Sequence, residues 1–211
     1  AVSPSTGLLS PEKNTQLDLG WVYAGKKTNA SLSLYYAHVD DFILRKPVGG
    51  YGNVDARLYG FEAEVTRTVS PLWTLGASLA YTRGDDRTND APLPQIAPLE
   101  ANLTAKYSHK KAEANAVWRL VSKQNRYHKG YGSVTGTDYG PTGGFGILSL
   151  SLAYRPDENL TFSLGVDNLF NKTYAEFVNY SEAAIASLGI PAGGHITEPG
   201  RTFWFKSSYK F

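Results

Sequence analysis

Cysteine and methionine are both absent from the 211 residues. Without cysteine there is no disulfide framework and no thiolate metal site. A chain that begins Ala1, Val2, Ser3 and holds no methionine is expected to be a processed product or an excerpt of a longer one. No apolar run approaches the length a spanning helix requires, which excludes a helical membrane protein and leaves a strand-built one open. An excess of one charge sign is missing too. Lys plus Arg number 21 and Asp plus Glu 19, and a net charge of +2 gives no support to nucleic acid as a partner. Disorder is excluded because the chain is 42% hydrophobic and 13% aromatic.

What is present is alternation with a period of two, the period of a strand with two unlike faces. It predicts nine strands and no helix: Gln16 to Tyr23, Thr28 to Val39, Leu58 to Val69, Trp73 to Thr82, Leu99 to Tyr107, Lys111 to Val121, Phe145 to Tyr154, Asn159 to Asn168 and Arg201 to Phe211. Connections alternate in length. "AGKKT", "TVSPLW", "YSHKK" and "RPDEN" are tight and rich in turn formers, whereas Asp41 to Arg57, Arg83 to Pro98, Ser122 to Gly144 and Asn171 to Gly200 are long. Short turns therefore lie at one end of the sheet and long loops at the other.

One strand face carries Leu17, Leu19, Trp21 and Tyr23, then Leu75, Ala77, Leu79 and Tyr81, while the other carries Glu62, Glu64, Glu100, Lys106, Glu113 and Arg119. A soluble sandwich alternates in the same way. The aromatics separate the two. Tyr23, Trp73, Tyr107, Tyr154, Tyr209 and Phe211 lie at the short-turn end of the apolar face, and Tyr36, Tyr59, Phe61, Tyr81 and Phe203 at the long-loop end. Two such girdles, with short turns on one side and long loops on the other, are the pattern of a transmembrane β-barrel of the outer membrane. The expected fold class is all-β, an antiparallel transmembrane barrel in contact with the lipid bilayer. Bacterial single-chain barrels have an even strand number, so nine strands imply a portion of a larger barrel.

"GVDNLFNKTYAEF" at 165–177 and "EPGRTFWFKSSYKF" at 198–211 closely resemble the C-terminal end of TonB-dependent outer-membrane receptors. "LSPEKNTQLDLGWVY" at 9–23 is similar to a stretch those receptors carry farther upstream, with Asp18 where Glu is usual. The matching motif residues are Asn168, Leu169, Phe170, Tyr174, Pro199, Gly200 and Arg201. The resemblance implies that residues 1–211 form the C-terminal portion of a 22-stranded barrel, whose N-terminal plug domain is absent from this chain. It also implies import of scarce metal cargo, a ferric siderophore or a metal ion such as copper, with energy passed from TonB. Phe203, Phe205, Tyr209 and Phe211 then read as a signal for the outer-membrane assembly machinery. The wording of "YAEF" and "TEPGR" is similar to receptors assigned to copper, where Y-A-E-H is common; Phe177 stands here in place of that His.

Long loops usually serve function, so cargo contact is expected there. "NRYHKGYG" at 125–132 supplies Tyr127, His128 and Tyr131, and "GGHITEPG" at 193–200 supplies His195 and Glu198. His and carboxylate suit transition metals, while aromatics and cations suit an anionic aromatic chelate. Motif residues have a plainer reading, as exit from the penultimate strand and entry to the last, and lumen charges are expected to pair mainly with each other, with water or with the missing plug. Passive porin and outer-membrane barrel enzyme are the alternatives. No H-E-x-x-H or G-x-S-x-G is present, and no resident cofactor is expected.

Overall fold

The computed structural model describes residues 9–48, 50–133, 136–178, 189 and 195–211. Its ten strands are β1 Lys13–Ala24, β2 Thr28–Arg45, β3 Tyr51–Thr68, β4 Trp73–Asp86, β5 Ala91–Pro92, β6 Glu100–His109, β7 Ala112–Val121, β8 Phe145–Tyr154, β9 Leu160–Asp167 and β10 Thr202–Tyr209. Among the described residues there is no helix. Nine strands form one antiparallel path, β1-β2-β3-β4-β6-β7-β8-β9-β10, with the two-residue β5 paired to β4 off that path.

Directly opposed residues of an antiparallel pair share a face, and the register gives the two faces their chemistry. Leu19 opposes Leu34, Leu34 opposes Phe61, and Phe61 opposes Tyr81. On the other face Ser33 opposes Glu62, Glu62 opposes Ala80, and Ala80 opposes Glu100. The aromatic rows pack ring on ring: Tyr36 lies 6.4 Å from Tyr59 and Phe61 6.0 Å from Tyr81 at the loop end, and Trp73 5.0 Å from Tyr107 at the turn end. Strands β1 and β10 border the sheet, each with one partner, and all their residues are exposed. The last strand is less evenly divided than its alternation suggests. Phe203 and Phe205 are 74% and 68% exposed, but Trp204, on the opposite face, is only 37% exposed. Its ring lies over Gly165, where a Cβ would come within 2.4 Å of it.

Two of the expected long loops are shorter than the sequence suggested. Residues read as loop between Asp41 and Arg57 instead continue β2 to Arg45 and start β3 at Tyr51, and β4 runs on to Asp86. The β2–β3 hairpin continues through a bulge. The register of β2 against β3 shifts between Val39 and Phe42, with Asp41 at φ 57, and the polarity of the inner row changes around it. Val39 and Ala56 are buried with Leu93, and Phe42, Leu58 and Ile96 pack against them. The row that is polar in the barrel wall is apolar above it. Connection 87–99 covers this second core, so the hairpins stand above the wall as packed structure.

Candidate functional site

The connection between β9 and β10 leaves the sheet through a left-handed residue. Asn168 has φ 51, tolerable for Asn because its short side chain bonds locally. That side chain is 3% exposed. Its Oδ1 accepts from the Lys172 N–H at 2.8 Å, and its Nδ2 donates to the carbonyls of Lys172 at 2.8 Å and Pro199 at 3.3 Å. Asn171, at φ 52, completes the closure by accepting from the Arg201 N–H at 2.9 Å. Gly200 permits that approach, since a Cβ there would lie 2.7 Å from Asn171 Oδ1. The two ends of the loop are thus stapled by two asparagines, and Leu169 N–H bonds back to Leu148 O at 2.8 Å. This matches the plainer reading of Asn168, Leu169, Pro199, Gly200 and Arg201. Phe170 is exposed and makes none of these contacts.

Beyond the staple the chain folds back onto the inner face. Tyr174 packs on Phe145 at 4.4 Å between ring centroids, against a buried cluster of Val121, Phe145 and Ile147. Phe177 is 4% exposed. Arg119 of β7 ties this segment down, pairing with Glu100 at 2.7 Å and with Glu176 at 2.5 Å. Glu198 returns its backbone N–H to Tyr174 O at 2.9 Å, which places it at the loop's base. A cavity of about 450 Å³ lies here, lined by Asn102, Arg119, Tyr174, Pro199 and neighbouring residues. Burial and the nearby carboxylates of Glu198 and Glu176 raise the Tyr174 phenol above its ordinary value.

A cap closes over the loop end, and a buried carboxylate organises it. Asp138, 2% exposed, accepts from Gln95 N–H at 2.9 Å, from Gln95 Nε2 at 3.0 Å and from His128 N–H at 2.7 Å. Burial pushes its carboxyl up, against those N–H groups. Three connections meet through it and around it. Arg45 and Gly132 exchange backbone bonds at 3.0 Å, joining the β2–β3 hairpin to the β7–β8 loop. Arg126 reaches Asp85 at 2.5 Å, and Asp85 also pairs with Arg57 at 2.7 Å. The last loop joins where Tyr139 meets His195 edge-on at 5.9 Å.

Of the residues expected to touch cargo, His128 and Tyr131 are stacked at 3.7 Å, and Tyr127 is half-buried beside them in sequence. His195 sits against Tyr139, and Glu198 at the loop base. The ring Nδ1 atoms of His128 and His195 are both buried and without a hydrogen-bond partner among the described residues. No group of three or more His, Asp or Glu able to hold a metal ion occurs among the described residues. Sequence reasoning missed Asp138, Gln95 and Glu176. Glu176 had a signal in its place within "YAEF", whereas nothing local distinguishes Asp138 from any solvated loop acid. Residues 179–188 and 190–194 of the last loop lie outside the described set.

A sheet with one lipid-type face, one polar face, two aromatic rows and capped loops is the wall of an outer-membrane transmembrane barrel. Residues 1–169 match the family described as TonB dependent receptor-like, beta-barrel, and the chain belongs to that family. It is 33% identical over 146 residues, 68% of this chain, to a ferric enterobactin receptor of Pseudomonas aeruginosa. It is 24% identical over 182 residues, 81% of this chain, to the catecholate siderophore receptor Fiu of Escherichia coli K12. The chain spans 16% and 23% of those two proteins. Among solved structures, the copper transporter OprC superposes with a TM-score of 0.90 at 41% identity, covering 97% of this chain and 32% of that one. Escherichia coli Fiu superposes with a TM-score of 0.70 at 19% identity, covering 100% of this chain and 30% of Fiu, which shows the shared fold.

Proposed function

We propose that this chain is the C-terminal portion of an outer-membrane receptor that imports scarce metal cargo with energy supplied through TonB. The observation that carries the reading is the likeness to the copper transporter, 41% identity and a TM-score of 0.90 over 97% of the chain. Edge strands β1 and β10 are complementary to this view, because open edges in lipid cost several kcal/mol per unpaired group, and further strands of a 22-stranded barrel would pair them. A plug domain would fill the lumen and contact TonB. Phe203, Phe205, Tyr209 and Phe211 would present the last strand to the assembly machinery. Relatives that are receptors and transporters support transport over catalysis, and their kinship argues against a passive porin.

Copper is the first cargo to test and a ferric catecholate the second, since the ferric enterobactin receptor is 33% identical over 68% of the chain. In either case the cap would make first contact through Tyr127, His128, Tyr131 and His195. With Phe177 buried and offering no ligand atom, a bare ion would draw further ligands from the lumen-filling domain. Uptake of labelled copper and of labelled iron carried by a catecholate siderophore, in cells expressing the full-length receptor with and without TonB, tests the proposal. TonB-dependent uptake of one of them supports it. Uptake of neither, or uptake unaffected by TonB, overturns it.

A further inference from the structure

Arg67 stands on the wrong face for an unaccompanied charge. Its Cα partners are Thr28 of β2 and Leu75 of β4, and Leu75 in turn opposes Ala105, so Arg67 belongs to the lipid-facing row. That row lies one rung inside the Trp73–Tyr107 pair of the turn-end aromatic belt. Arg67 is exposed, and among the described residues no carboxylate lies within ion-pair distance of it. A cation on the lipid face is unfavourable unless its head reaches the interface and finds a counter-charge. Two more cations stand at that level. Lys26 and Lys27 are exposed in the β1–β2 turn, and this turn is fixed to β3 because Thr68 N–H donates to Lys27 O at 2.8 Å. Neither lysine has an acidic partner among the described residues either. The acids of the short-turn rim, Asp157 and Glu158, belong to the β8–β9 turn across the sheet, and Asp157 Oδ1 is occupied by the N–H groups of Asn159 and Leu160.

The geometry points to a binding site for an anionic phospholipid headgroup, formed by Arg67, Lys26 and Lys27 on the periplasmic rim of strands β1–β3. Short turns face the periplasm in this class of barrel, so the ligand comes from the inner leaflet. Arg67 extends its stem along the apolar wall and presents its guanidinium to a phosphate diester, which it grips through paired N–H donors. Lys26 and Lys27 add point charges from the water side, and Trp73 and Tyr107 set the depth at which the acyl chains begin. The site is separate from the cap and independent of which cargo is carried.

Native mass spectrometry of the assembled full-length receptor, titrated with phosphatidylglycerol and with phosphatidylethanolamine, tests the inference. Wild type is expected to retain phosphatidylglycerol in preference. Arg67→Gln and the Lys26→Gln, Lys27→Gln double variant should each weaken phosphatidylglycerol retention, by about fivefold for every cation removed, while phosphatidylethanolamine retention stays level. Arg67→Lys should restore part of the Arg67→Gln loss. The lysine variant lies in an exposed turn and keeps the readout available if Arg67→Gln impairs assembly. Equal retention of the two lipids by wild type, unchanged retention in the lysine variant, or displacement of the lipid by millimolar inorganic phosphate would overturn the assignment.

Discussion

Replacing Asn168 tests how the last loop is held, and the structure allows its two contributions to be separated. Asn168→Gly keeps the left-handed backbone accessible but removes two hydrogen bonds at 2.8 Å and a weaker one at 3.3 Å. At about 1 kcal/mol for each of the good bonds, local closure of the loop base should weaken by about 2 kcal/mol. Asn168→Ala loses the same bonds and adds the cost of holding an alanine at φ 51, a further 1–2 kcal/mol or so. Amide hydrogen exchange on the assembled receptor reads both. The reporters are the N–H groups of Arg201, bonded to Asn171, and Leu169, bonded to Leu148, because neither loses its own acceptor in these variants. Protection of Arg201 should fall about thirtyfold in the glycine variant and about three hundredfold in the alanine variant. Equal protection in wild type and both variants would show that the staple does not close the loop.

Arg119→Ala leaves Glu100 and Glu176 facing the inner wall without their cation, and as these groups are only partly covered the loss should be about 1–2 kcal/mol, seen as faster exchange through residues 174–177. Asp138 gives a pH test. Its folded-state carboxyl lies above its ordinary value of 3.8, so the folded cap binds the proton more tightly than the unfolded chain does. This group's contribution to stability is therefore full below 3.8 and is lost as pH rises through the raised folded value. Protection of Gln95 and His128 amides, corrected for intrinsic exchange, should fall across that window, and Asp138→Asn should abolish the dependence. Deleting Phe211 should lower the amount of receptor assembled in the outer membrane and leave cargo affinity of assembled molecules unchanged, as measured by heat-modifiable band intensity and binding titration.

The barrel wall was legible because lipid and lumen impose opposite demands on alternate residues. Every one of the nine long strands follows from that rule, and the register bears out both faces. The rule stops working above the wall. At the bulge near Asp41 the inner row turns apolar, with a core of Val39, Ala56 and Leu93, so residues 41–45 and 51–57 looked like loop though they continue the sheet. The loop base was legible as a motif, and its asparagines do hold the turn. The cap was not. Asp138 and Gln95 are 43 residues apart, and their pairing depends on two loops meeting above the wall, which no local pattern encodes. His128 and Tyr131 are cargo candidates by residue type alone, and the fold adds their stacking.

Cargo binding by the cap is the claim on which the functional account rests. Titration of assembled full-length receptor with a copper(II) salt and with a ferric catecholate siderophore measures it directly, using wild type, the His128→Ala, His195→Ala pair and the Tyr127→Ala, Tyr131→Ala pair. For the cargo that wild type binds, the account predicts normal assembly in every variant and a loss of about 1–3 kcal/mol, larger in the histidine pair for the ion and in the tyrosine pair for the chelate. Wild-type affinity in both variant pairs would contradict capture by the cap and place recognition on the lumen wall or the domain that fills it.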